Sequence, residues 1–532
     1  MRTLFASSVS AMVLAVSFSA VSEAQTRVSR SDAQAAIAAM GLDTSDVNEI
    51  SFDRGRFSGG DYIFTNVVFH MDDDDNGEAA KDGEDDFNVN FDGEELHVDE
   101  MRFSAPRLAS DGRVMFDAFS MSGMSASGDD GEGVSIDLIE IVGPNAEFAA
   151  MIAEGFANLG EGDDEDIELG ENPFDRVALR GLRVVDESDE MTTVSLGSMV
   201  LEADDRSNTA RFEMNDLLVD AQNGDEPVHV SLGEIRVEGI STDTTDEWFT
   251  AIENDNMPAF MNSYMNAATV NPAAIFSGFV LSDFALNAGG IELSLASMTA
   301  ENVERRGDVH SSATVERLHF SADAEHENGA QIAAGLMMLG YSELNMHAVT
   351  NTVYQPERGR TYTDGDNYYV VEDAFRIDFS QDVEGYNEYT ALMAEMVAEA
   401  AEYGEDAAED AAMAAMSALQ VNEFSLSITD QSILDRAFGA MASQQGIAPE
   451  QARAQASALV LLGAASAGPL VPAPLMTELT TAVSGFLNNG GSVTVGMRPT
   501  SPTTVGDMMM IAEQDEPNID RLGISVSADP AD

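Results

Sequence analysis

The side chains best placed to do chemistry are carboxylates. Asp72-Asp73-Asp74-Asp75-Asn76-Gly77 opens like an EF-hand calcium loop, with oxygen ligands at positions one, three and five and glycine at six, where the loop must turn sharply. The twelfth position needs a bidentate glutamate. It holds Gly83, Glu84 comes one residue late, and the flanks read as strands rather than helices. A solvated acidic loop is the favoured reading, with calcium the alternative, and Glu161 to Glu171 reads the same way. The seven histidines are His70, His97, His229, His310, His319, His326 and His347. None falls in an HExxH arrangement or at the helical spacing that brings two imidazoles to one metal. His310, His319 and His326 cluster only loosely, so no metal site is expected. Ala464-Ala465-Ser466-Ala467-Gly468 lacks the first glycine of a nucleophile elbow and reads as a helix end with Gly468 as its stop. No phosphate loop or dinucleotide fingerprint has its strand context, and paired carboxylates are too frequent for any one pair to count. The residues point away from an enzyme, and no cofactor is expected.

What remains to bind anything is apolar. Met101, Met121, Met124, Met199, Met214, Met298 and Met346 recur at inward places of a repeated pattern. Methionine adapts its shape, which suits an irregular core and equally a greasy ligand.

The pattern is clearest from Arg211 to Gly239. Apolar residues occupy the first, third, sixth and eighth places of eight, as Phe212, Met214, Leu217, Val219 and again as Val230, Leu232, Ile235, Val237. Asn223-Gly224-Asp225-Glu226-Pro227 between them is a turn, so the segment reads as a β-hairpin. A half-buried strand alternates by two. The central step of three is what a β-bulge provides: one extra residue returns the following side chains to the same face and bends the strand. Asn215-Asp216, Gly233-Glu234, Arg180-Gly181 and Ser282-Asp283 are the small or polar residues at that step. The alternative is a strand that changes its buried face midway. The bulge reading predicts a long, curved antiparallel sheet of repeated hairpins.

Composition narrows the setting. The 532 residues carry 95 Asp and Glu against 25 Lys and Arg, a formal charge of −70, and Lys81 is the one lysine. Such a surface repels nucleic acid and anionic headgroups over a Debye length of about 8–10 Å. It fits adaptation to a salty habitat, with calcium buffering or docking to a basic partner as the functional alternatives. Arg2, the apolar run Leu4–Val16 and Ser22-Glu23-Ala24 read as a cleavable secretory signal over residues 1–24, and a periplasmic location is expected. There is no cysteine, so an exported chain must be held by its core. No integral membrane segment is expected after cleavage. The nearest candidate, Ala456 to Met476, is broken by Pro469, Pro472 and Pro474.

The fold class expected is α+β. Residues 25–380 form the sheet of repeated hairpins with helical insertions at 147–159, 245–266 and 330–338. Residues 381–532 form a helix-rich region with a few strands, after a soft boundary near Gln381. Ser31-Asp32-Ala33-Gln34 reads as a capping box for a helix over Asp32–Met40, Tyr368 to Phe379 as one alternating strand, and Tyr389 to Leu419 as one or two helices.

The repeated VSLGSMVLE and VSLGEIRVE segments resemble the exported repeat proteins of alphaproteobacteria. So do Tyr354-Gln355-Pro356 to Phe379 and the C-terminal Gly485-Phe486-Leu487, Arg498-Pro499-Thr500-Ser501-Pro502 and Leu522-Gly523-Ile524-Ser525-Val526. The chain is similar, more distantly, to AsmA-type envelope proteins with long curved sheets, and that resemblance implies lipid handling. It departs from them in lacking a retained membrane anchor. The function expected is non-enzymatic binding of a lipid or another apolar ligand in a concave sheet groove lined by Leu196, Met199, Met214, Leu217, Leu232, Ile235, Leu281 and Phe284. The alternative is a structural or interaction module of the envelope with a filled core and no ligand.

Overall fold

Leu217 faces Leu196 on one neighbouring strand and Leu232 on the other, and Met214 likewise faces Met199 and Ile235. These pairings come from a computed structural model. It describes residues 28–44, 50–70, 95–127, 133–157, 173–186, 192–204, 209–223, 226–241, 276–393, 415–467, 472–512 and 519–530. The protein is α+β, dominated by a long antiparallel sheet, and divides into two compact units, residues 1–255 and 256–532.

In the first unit the strands are β1 (Ile50–Ser58), β2 (Asp61–His70), β3 (Glu95–Ser104), the two-residue pair β4 (Arg107–Leu108) and β5 (Val114–Met115), β6 (Ala118–Ser127), β7 (Gly133–Val142), β8 (Arg176–Asp186), β9 (Thr192–Asp204), β10 (Thr209–Asn223) and β11 (Glu226–Ser241). Apart from β4 and β5, each pairs antiparallel with the next. The three-residue step marks a residue that the ladder skips. The skipped residues form a row across the sheet: Asp53, Asn66, Asp99, Gly123, Asp137, Gly181, Gly197, Asp216 and Gly233.

A simple bulge sets two residues against one. Here both partners carry the extra residue at the same level, so the register stays in phase and the apolar rows stay aligned. The irregularity is therefore a matched seam, a correction to the single-strand bulge expected. Along the seam, alternate strands place a residue in the left-handed region: Asn66 (φ 50°), Gly123 (φ 61°), Gly181 (φ 64°) and Asp216 (φ 56°). Glycine and Asn/Asp are the residues that visit this region routinely. β1, β3 and β7 lay an aspartate across it, whereas β9 and β11 carry Gly197 and Gly233 beside Asp216. Asn66 Nδ2 donates to Asp53 Oδ2 at 2.6 Å, and a Cβ built on Gly123 or Gly181 falls 2.3 or 2.2 Å from Oδ2 of Asp99 or Asp137.

The apolar face of the first unit is sealed by helices α1 (Arg30–Ala39) and α2 (Ala146–Ala157). Ile37, Met40, Phe148 and Ile152 enter one buried cluster with Phe64, Val98, Met101, Phe103, Phe119, Ile139 and Leu179. Phe103 sits at its centre, with ring centroids of Phe119, Phe116 and Phe156 at 4.9, 5.5 and 5.6 Å. Helix α1 is capped by Ser29, which accepts from the Asp32 amide, and not by Ser31.

In the second unit β12 (Gly278–Ala288), β13 (Ile291–Arg305), β14 (Asp308–Ala322) and β15 (Glu343–Gln355) continue the same pattern. Its seam runs through Asp283 (φ 52°), Ala296 and Arg317 (φ 42°). Next come β16 (Arg360–Thr363) and β17 (Tyr368–Val371), which share one edge of β15 and then of β18 (Phe375–Glu384). There the ladder past His347 has no gap, and the seam ends. β19 (Gln420–Asp430) pairs with β18, with β20 (Ser492–Met497) and with β21 (Thr503–Thr504), and β22 (Ile524–Asp529) pairs with β20. Helices α3 (Glu327–Met338), α4 (Ile433–Gln445), α5 (Pro449–Ala467), α6 (Ala473–Asn489) and α7 (Val505–Ala512) complete it.

Tyr368–Phe379, expected as one strand, is a hairpin. Asp373 takes φ 56° and the Ala374 amide donates back to Val371 O, while buried Ala374 leaves no bulk at the corner. The insertions expected at 147–159 and 330–338 are α2 and α3. β18 runs through the boundary expected near Gln381, whereas the compact units meet at 255/256. Residues 1–24, the insertion at 245–266, both acidic loops and most of the helix expected over Tyr389–Leu419 lie outside the described residues.

Candidate functional site

The register sorts β12 to β15 into two unlike faces. One carries the rows Leu281–Met298–Val315–Ala348, Phe284–Leu295–Leu318–Met346 and Leu286–Leu293–Phe320–Leu344. The other carries Ser282–Ser297–Glu316 and Asn287–Glu292–Ser321–Glu343. The skipped Asp283, Ala296 and Arg317 hold the two faces in phase across the step of three. Of the twelve side chains in the three apolar rows, only Leu295 is buried; the others are half-buried. The equivalent face of β2 to β8 is closed under α1 and α2. An apolar face this size, kept partly open beside a polar reverse, can hold an apolar surface by displacing water from it.

The eight residues expected to line a groove are placed as follows. Met199–Met214–Ile235 and Leu196–Leu217–Leu232 make two adjacent rows across β9, β10 and β11. Leu196 is part of the sealed core and Met199, Met214 and Leu217 pack against it, while Leu232 is buried and Ile235 half-buried. Leu281 and Phe284 lie in the second unit, on the partly open face. The rows in the first unit thus border a filled core, and the pair in the second belongs to a face that is not filled.

The polar clusters are structural in geometry. Glu95 lies 3.3 Å from His70 Nδ1 and 3.3 Å from His97 Nε2 at the β2–β3 edge, a grouping the sequence reading missed. Its signal was the pairing of two strand ends, which spacing alone does not show. His310 and His319 lie nine residues apart on β14, roughly 30 Å along a strand. Among the described residues no group of histidines and carboxylates is placed to hold a metal. Arg360 grips Asp382 with two hydrogen bonds, Nε to Oδ1 at 2.8 Å and Nη2 to Oδ2 at 2.6 Å, and Asn422 adds a third. The Arg360 hydrogen bonds hold the Asp382 carboxyl below the usual carboxylate range. Burial pushes the Tyr354 and Tyr386 phenols up. A groove of about 530 Å³ lies between α6 and β22, lined by Thr477, Thr481, Gly485, Phe486, Val526 and Ala528.

Fold and site together define an α+β protein built on a long antiparallel sheet with one apolar and one polar face. Residues 368–529, less than a third of the chain, match a family model described as "Uncharacterized protein". No curated protein and no solved structure matches the chain.

Proposed function

We propose that the protein is an exported, non-enzymatic binder of a lipid or another apolar ligand, held on the apolar face of β12 to β15. The observation that supports this most is a contrast along the repeat. The same kind of apolar rows are closed by helices over β2 to β8 and left half-buried on β12 to β15. Leu281, Phe284, Leu318 and Phe320 lie on one apolar face and are half-buried, so covering what remains exposed of each gains part of the about 1.5–3 kcal/mol that full burial is worth. The leader-like first 24 residues support export, and the resemblance to AsmA-type envelope proteins supports lipid as the ligand class.

The test is organic extraction and mass spectrometry of the full chain purified without detergent, beside a Leu281→Asp/Phe284→Asp variant. The wild type is expected to carry an acyl-chain species that the variant lacks. No species above background in the wild type overturns the reading. It then favours the second one, an interaction module without ligand, which the groove between α6 and β22 supports as a docking place.

A further inference from the structure

In a chain that is 23% charged, residues 454–497 hold a single charge, Glu478, where the average predicts about ten. From 454 to 477 there is none. Helix α5 crosses into this stretch, and its surface changes along its length. The N-terminal half is anchored: Ala452 is buried with Phe438 and Ala442 of α4, Ala456 packs on that cluster, and Arg453 Nη1 donates to Leu487 O at 2.6 Å. The exposed positions there are Pro449, Glu450, Gln451, Ala454, Gln455 and Ala458. Next along the helix come Leu459, Leu461 and Leu462, exposed at 68, 55 and 65%. α5 packs on both α4 and α6, yet Leu459, Leu461 and Leu462 remain exposed on more than one side of it.

We propose that this end of α5 is a membrane-docking element that dips into the apolar boundary of a zwitterionic bilayer. Charge selects the occupant. A polyanion at −70 repels anionic headgroups. This neutral stretch carries the most exposed leucines of the described residues. A neutral, apolar helix end can leave water for lipid without dehydrating a charge, whereas an anionic bilayer meets the field of the rest of the molecule. Among the described residues no helix is long and apolar enough to cross, so α5 lies in the interface and does not span it. The element is separate from the apolar face of β12 to β15, and either can fail without the other.

The experiment is flotation of the full chain with phosphatidylcholine vesicles. The wild type is expected to float, and the Leu459→Asp/Leu461→Asp/Leu462→Asp variant to lose at least tenfold in apparent affinity. Its melting curve should not change, since these side chains are exposed. Anionic vesicles should bind more weakly at low salt and recover as salt is added. Because the chain has no cysteine, a lone Leu461→Cys carrying an environment-sensitive dye reads insertion directly, even if the triple variant misfolds. Its emission should rise and shift to the blue on vesicles, and that of Gln451→Cys should not. Wild type that stays with the buffer, or a dye at 461 indifferent to vesicles, overturns the proposal. So does a concentration-dependent dimer in place of flotation, which would assign the leucines to a second copy of the chain. Lipid found by extraction with no flotation would leave the sheet-face reading intact and sink this one.

Discussion

Replacing Gly123 with alanine tests the seam. Gly123 sits at φ 61° on β6, and an added Cβ would fall 2.3 Å from Oδ2, 2.7 Å from Cγ and 2.9 Å from Cβ of Asp99 on β3. Two costs arise. A left-handed conformation costs an L-residue about 1–2 kcal/mol. Asp99 must also leave its rotamer, which costs roughly 0.5–1.5 kcal/mol. Its exposed carboxylate can swing away, but its Cβ cannot move without the strand, so both terms count. Gly123→Ala is therefore expected to destabilise the first unit by about 2–3 kcal/mol. With a urea m value of about 2–3 kcal/mol/M, the midpoint falls by about 1 M.

Two companions separate the terms. Gly59 has φ 71° and nothing within 4 Å of its Cβ position, so Gly59→Ala reads the backbone term alone, about 1–2 kcal/mol. Gly123→Asn copies the arrangement already present where Asn66 donates to Asp53. It should cost roughly 1 kcal/mol less than alanine, because asparagine tolerates the left-handed region and can bond the carboxylate. Circular dichroism against urea reads all three. A Gly123→Ala protein as stable as wild type, or an asparagine variant worse than alanine, refutes the account of the seam.

Two further outcomes follow from the cores. Phe103 is fully buried amid Phe64, Phe116, Phe119 and Phe156, so Phe103→Ala should cost about 3–5 kcal/mol, while Leu108→Ala at an exposed site should shift the midpoint little. Asp382 has a depressed folded-state pKa, so its contribution is present above the unfolded carboxylate value of about 3.9 and is lost as pH falls through the folded value. Asp382→Asn should then be less stable than wild type near pH 6, and the gap should narrow as urea titrations are taken below about pH 3.9; a gap independent of pH would assign the effect to packing.

Much of this architecture is legible in the chain because the pattern that encodes it is local. The places Phe212, Met214, Leu217 and Val219, and their counterparts from Tyr62 to Phe320, land on one face because two-residue steps and one extra residue leave no other arrangement. The six groove residues of the first unit fall into two rows for the same reason. A single strand does not reveal whether its extra residue meets a matching one. The clue was the chemistry at the step, Asn66, Asp99, Gly123, Asp137 and Gly181, a left-handed residue alternating with the aspartate that covers it. The Glu372–Ala374 corner was missed because its turn rests on Asp373 and a buried alanine, with neither glycine nor proline to mark it. Nothing local tells a sealed face from an open one: α1 and β8 lie far apart in sequence, and the rows beneath them read like those of β12 to β15.

That last point bears on function. In a meander each strand contacts chiefly its neighbours, so stability accumulates locally and each stretch can be fastened in its own way. The first unit is fastened by apolar burial under α1 and α2. The second draws on other means. Arg360 and Asp382 clasp β16 to β18, Tyr354 and Tyr386 pack with Val309, and Phe438, Ala442 and Ala452 join α4 to α5. None of these contacts uses the rows of Leu281 and Phe284. Under the proposed function, an apolar face outside these contacts can change its occupant without unfolding the sheet beneath it, which is what a carrier of apolar molecules requires.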